Sequence, residues 1–134
     1  MATIRFKRFD KPDEWGNRSP SIGFYTEALH WIFTCLKSLA SMPDTHTPNE
    51  ITISSINDSL HGKGSRHYLN EAVDIRSKNF STREAKLHFV ARMNALLNCH
   101  PEDPAKFSVL FENEGAPEEH FHIQVKKGQS FMRF

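Results

Sequence analysis

Two short stretches hold most of the side chains able to do chemistry. One is Ser65-Arg66-His67-Tyr68-Leu69-Asn70-Glu71-Ala72-Val73-Asp74, the other Glu118-Glu119-His120-Phe121-His122. Along a strand through residues 72–76, alternation sends Val73 and Ile75 to one face and Asp74 to the opposite one. In the second stretch His120, His122 and Gln124 share a face, while Phe121, Ile123 and Val125 point into a core. Two adjacent antiparallel strands would bring Asp74 close to His122, with His67 arriving from the preceding loop. Neutral imidazole and carboxylate are good Zn²⁺ ligands at about 2.0–2.2 Å, and three protein ligands leave a fourth position for water. Coordination lowers the pKa of that water to roughly 7, and a nearby carboxylate can take its proton. A single histidine on a strand is more often a hydrogen-bonded structural residue. The His-x-His pair, and an Asp inside a short apolar strand where Asp is depleted, tilt the balance toward a metal site. Strict pleating makes His120 a candidate fourth ligand and turns Glu119 away.

The elements that must position these residues are legible in the hydrophobic spacing. Residues 3 to 9 alternate in part and suggest a short strand, and Pro12, Gly16 and Pro20 mark a loop after it. Apolar residues recur at helical spacing from Ser21 to Ser41 (Ile22, Tyr25, Leu29, Ile32, Leu36, Leu39), and Pro43 closes that helix. Glu50–Ser55 and Ala72–Arg76 are β-type runs separated by a turn-rich stretch with Gly62 and Gly64. Ser81-Thr82-Arg83-Glu84 has the form of a capping box led by Ser81. It opens a helix to Asn98 whose apolar face includes Leu87, Val90, Ala91, Met93 and Leu97. Two strands close the chain, from Phe107 to Glu112 and from His120 to Lys126. The order β-α-β-β-α-β-β predicts one α+β domain, a small mainly antiparallel sheet with two principal helices.

Composition bounds the function classes. At 134 residues there is room for one domain. Lys+Arg number 17 against 16 Asp+Glu, a net charge of +1, which argues against a nucleic-acid partner. No run approaches the ~18 apolar residues of a membrane span. Cys35 and Cys99 have no metal-ligand spacing and are expected to be buried thiols. The N-terminus lacks the apolar core of a signal peptide, so synthesis in the cytoplasm is expected. Of the eight histidines, His30, His46, His88 and His100 are given structural roles. His61, close in sequence to His67, is a control for mutation.

Ser65-x-His67, followed seven residues later by Asp74 within Ala-Val-Asp-Ile, resembles the SxHxxGxAxD motif of the M15 zinc peptidases. That family includes D-alanyl-D-alanine carboxypeptidases and L-alanyl-D-glutamate endolysins. Glu119-His120-Phe121-His122 is similar to its second motif, a Glu three residues before a His. The resemblance covers residues 20 to 127 within a single catalytic domain, 1–134, and implies the hedgehog/DD-peptidase-like fold. It implies one Zn²⁺ held by His67, Asp74 and His122. Glu119 would be the carboxylate that deprotonates the water and protonates the leaving amine. His120, Ser65 and Arg66 would line the substrate cleft, with Ser65 orienting the His67 loop. The implied substrate is a peptidoglycan stem peptide or another D-amino-acid-containing peptide. With no signal peptide or wall-binding domain, the expectation is a monomeric, phage-encoded lysis component acting at the bacterial cell wall. Two positions depart from the pattern. Asn70 replaces the motif glycine, and Asp58 stands where many members carry a substrate-holding Arg, a role Lys63, Arg66 or Arg76 would have to assume. The alternatives are an M15-like zinc-binding module without peptidase activity, or a small α+β protein whose histidines meet by coincidence.

Overall fold

The computed structural model describes residues 2–6, 27–42, 44–55, 72–99 and 107–126. The elements run β1 (Thr3–Phe6), α1 (Glu27–Ser41), β2 (Glu50–Ser55), β3 (Ala72–Arg76), α2 (Arg83–Leu97), β4 (Phe107–Glu112) and β5 (His120–Val125). The fold is α+β, as the spacing predicts. One sheet carries the five strands in the order β1-β2-β3-β5-β4. β1 runs parallel to β2 and the other three pairings are antiparallel, so the sheet is mixed. The parallel pair has α1 between its two strands in sequence, as a crossover connection requires.

One face of the sheet is covered. Ile51, Ile53, Val73, Ile75, Phe107, Ile123 and Val125 are buried against the inner sides of both helices. Phe121 is the hub of this layer, its ring 4.6 Å from Phe89, 5.2 Å from Phe80 and 5.4 Å from Phe111. Trp31 ties the helices together by donating from Nε1 to the Leu97 carbonyl at 2.8 Å.

The structure corrects several local expectations. Of the expected face of α2, Met93 and Leu97 are buried and Val90 packs against the core, but Ala85 and Phe89 complete the buried stripe in place of Leu87 and Ala91, which are exposed. Residues four apart stack on one face, whereas Leu87 lies about 200° round the helix from Phe89 and is 40% exposed. The N-cap is Thr82, whose Oγ1 accepts from the Ala85 N–H at 3.0 Å. Glu84 instead faces His46 Nε2 at 3.7 Å. β5 ends at Val125 rather than at Lys126. Residues 7–9 and 21–26, expected in the first strand and helix, lie outside the described residues. Cys35 is buried and its thiol pKa is pushed up to about 12 by that burial, but Cys99 is exposed. Among the described residues no helix is long and apolar enough to cross a membrane.

Candidate metal centre

The sheet's second face gathers the polar side chains. Because Phe121 and Ile123 are locked in the core, alternation turns His120, His122 and Gln124 to the opposite side of β5. The antiparallel register with β3 sets Asp74 directly opposite His122 and Ala72 opposite Gln124. On the other flank, β4 sets Glu112 opposite His120. The β2–β3 register shifts between Ile53 and Ser55, which brings Ser55 opposite Asp74. An extra residue in one strand re-aims a side chain in this way.

Asp74, His120 and His122 each offer a ligand atom within 4.8 Å of the other two, a cluster that could hold a metal ion. His122 Nδ1 lies 2.9 Å from Asp74 Oδ1 and its Nε2 lies 2.6 Å from Gln124 Oε1, both within hydrogen-bond distance. His120 Nε2 lies 3.0 Å from Glu112 Oε1 and 3.7 Å from Asp74 Oδ1. Its Nδ1 donates to the Glu118 carbonyl at 2.8 Å. Two imidazoles and a carboxylate suit Zn²⁺ and other borderline divalent ions. Each ring also has one nitrogen anchored on an acceptor, the arrangement that orients metal-binding histidines.

The electrostatics favour positive charge here. Burial is the largest single influence on His122 and opposes its charged form. The hydrogen bond and charge of Asp74, the Gln124 hydrogen bond and the Glu112 charge together outweigh it, and the pKa is raised. The same carboxylates would stabilise a cation in place of the proton.

Glu119 belongs to a different assembly. Its Oε1 accepts from Ser77 Oγ at 2.6 Å and Lys86 Nζ at 2.7 Å, and its Oε2 accepts from the Gly115 N–H at 2.9 Å. Two residues before Phe121, it points to the helix side, where α2 supplies Lys86. The Lys86 hydrogen bond first, then those from Ser77 and Gly115, lower its pKa to about 2. Gly115, with φ +84°, supplies the left-handed turn that lets its N–H point back at the carboxylate. The structure thus brings together Asp74, His122 and His120 among the sequence-predicted residues, and does not join Glu119 to them. His67, Ser65 and Arg66 lie outside the described residues, as does His61.

Two residues at this face lie outside the predicted site: Glu112, which alternation does not flag until β4 is paired, and Gln124, which alternation puts on the face but assigns no role. Glu112 follows Phe107, Val109 and Phe111 on the opposite phase of β4, and hairpin pairing with β5 then places it beside His120. Gln124 shares the phase of His120 and His122. Ser55 had no such signal, since a register shift leaves no mark in the spacing. His46 and His88 flank a separate ion cluster. There Asp44 accepts from Arg92 at 2.8 Å, from His88 at 3.0 Å and from the His46 backbone N–H at 2.7 Å.

The fold and site together define a small α+β fold with a metal-capable cluster on the face of its sheet opposite α1 and α2. Comparison with known proteins gives no match: no family model fits the chain, and no curated protein or solved structure is detectably similar to it.

Proposed function

We propose that the chain is a zinc-dependent peptidase that hydrolyses peptidoglycan stem-peptide bonds next to D-amino acids. The observation that carries the reading is the pairing of Asp74 with His122 in register across β3 and β5, with His120 beside them. The motif resemblance adds His67 as a ligand. A zinc ion held there supplies an activated water and polarisation of the scissile carbonyl. The chain's own residues do the rest. Asp74 and His122 fix the position of the reacting centre, and His120 Nε2 faces the same space.

A proton carrier is also required, and two carboxylates compete for the role. The resemblance assigns it to Glu119, which can serve only after Ser77 and Lys86 release its Oε1. Glu112 stands on the face of the cluster, its Oε1 3.0 Å from His120 Nε2, and would have to give up only that contact. The engagement of Glu119 also favours a second reading, a zinc-binding module of the same kind without peptidase activity.

One experiment separates these readings. Purified peptidoglycan is incubated with wild type, Asp74→Ala, Glu119→Gln and Glu112→Gln, and muropeptides are measured by mass spectrometry alongside zinc content. The peptidase reading expects new stem-peptide fragments from wild type and none from Asp74→Ala. Stoichiometric zinc with no fragments selects the binding module. Absence of zinc from the wild-type protein removes both.

A further inference from the structure

His122 lies between two acceptors that compete for its protons. Asp74 Oδ1 faces Nδ1 at 2.9 Å. Gln124 Oε1 faces Nε2 at 2.6 Å. A neutral imidazole keeps only one proton, and the nitrogen that loses it becomes the metal-binding one. In an isolated His–Asp pair the carboxylate wins, because a hydrogen bond to a charged acceptor is roughly twice as strong as one to a neutral acceptor. The ring would then keep its proton on Nδ1 and turn a bare Nε2 away from Asp74. A metal shared with Asp74 needs the opposite tautomer.

Gln124 is placed to hold the Nε2 proton once a cation takes the place of the Nδ1 proton beside Asp74. It sits two residues along β5 on the same face as His122, and its cross-strand neighbours, Ala72 and Ser108, are small. The ring therefore has a short, fixed acceptor on its Nε2 side. His120 is anchored in the complementary way, with Nδ1 held by the Glu118 carbonyl and Nε2 directed at carboxylates. The two rings of the His-x-His pair thus present different nitrogens, His122 its Nδ1 and His120 its Nε2, toward Asp74.

We propose that Gln124 is a positioning residue for the metal centre: with a cation on the Nδ1 side of His122 beside Asp74, Gln124 Oε1 anchors the opposite, Nε2 side of the ring and fixes its orientation. The inference rests on the metal-centre reading above and adds to it a residue that touches no metal.

The test is zinc affinity of the chelator-stripped protein, measured by competition with a chromophoric chelator. Gln124→Leu keeps the side-chain bulk and removes the acceptor. It is expected to weaken zinc binding roughly 10–100-fold, the usual cost of losing a histidine's outer partner, while the zinc-free protein keeps a cooperative thermal transition. Gln124→Glu keeps an acceptor and is expected to bind zinc as wild type does. Wild-type affinity in Gln124→Leu overturns the inference and leaves the metal centre standing, whereas a wild-type protein that takes up no zinc overturns both. Ring nitrogen chemical shifts of the zinc-loaded wild type decide the matter without any variant. A metal-bound Nδ1 with a protonated Nε2 on His122 supports the proposal, and a metal-bound Nε2 overturns it.

Discussion

Replacing Glu119 by Gln tests whether this carboxylate is a structural tie. Its side chain is 6% exposed and meets Lys86, which is 19% exposed. Three donors converge on it, from Ser77, Lys86 and Gly115. Lowering its pKa from the ordinary 4.5 to about 2 corresponds to roughly 3 kcal/mol of folded-state stabilisation. The residual exposure of Lys86 screens the pair, so we expect Glu119→Gln to cost about 2 kcal/mol at neutral pH. The pH dependence has a definite sign. A depressed carboxylate pKa contributes stability that is complete above 4.5 and is lost as the pH falls toward 2. Urea unfolding of wild type and variant should therefore show a gap that is widest near neutrality and narrows over that acid interval. Lys86→Met should be destabilising too, and the double variant should show coupling between the two sites. A gap under about 0.5 kcal/mol at neutral pH, the level of an ordinary surface substitution, would refute the tie. Unchanged stability together with lost hydrolysis would return Glu119 to the role of proton carrier.

Three further outcomes follow from the packing. Thr82→Ala should cost about 1 kcal/mol of unfolding free energy and Ser81→Ala almost nothing, since only Thr82 caps α2. Phe121→Ala should cost roughly 3–5 kcal/mol by denaturant titration, because three phenylalanine rings lose their shared neighbour. The carboxyl pKa of Asp44 is lowered by its hydrogen bonds from the His46 backbone and from His88, and by the Arg92 charge. Asp44→Ala should therefore lower the melting temperature at neutral pH, and the difference from wild type should shrink as the pH falls through the carboxylate range.

The sheet face carrying the candidate site was readable because alternation is rigid. Once Val73 and Phe121 are assigned to the core, Asp74, His120 and His122 have only the other face available, and antiparallel pairing brings them together. Helix phase was harder to read. In α2 both Leu87 and Phe89 are apolar, and only the packing against Phe121 shows which one turns inward. The cap was misassigned by one residue, since Ser81 and Thr82 are both competent and the pattern does not distinguish them. Alternation alone turns Glu119 away from His122, as the structure has it, and only the motif resemblance draws it to the site. The partners that hold it, Ser77 and Lys86, are 42 and 33 residues away in sequence and leave no local mark.

That orientation bears directly on the proposed hydrolysis. His120 and Glu119 are neighbours on a pleated backbone, so fixing one on the metal-capable face sends the other to the helix side. For Glu119 to act at Asp74 and His122, the turn before β5 must unmake the contacts to Ser77, Lys86 and Gly115. If those contacts stabilise by about 2 kcal/mol, the rearranged form is about 30-fold less populated before substrate binds. Substrate contacts must then supply that difference, and Lys86→Met, by weakening the resting arrangement, should raise hydrolysis. A proton carried by Glu112 does not depend on that rearrangement, and Lys86→Met should then leave the rate unchanged. The response of hydrolysis to Lys86→Met thus discriminates between the two carboxylates without altering either one.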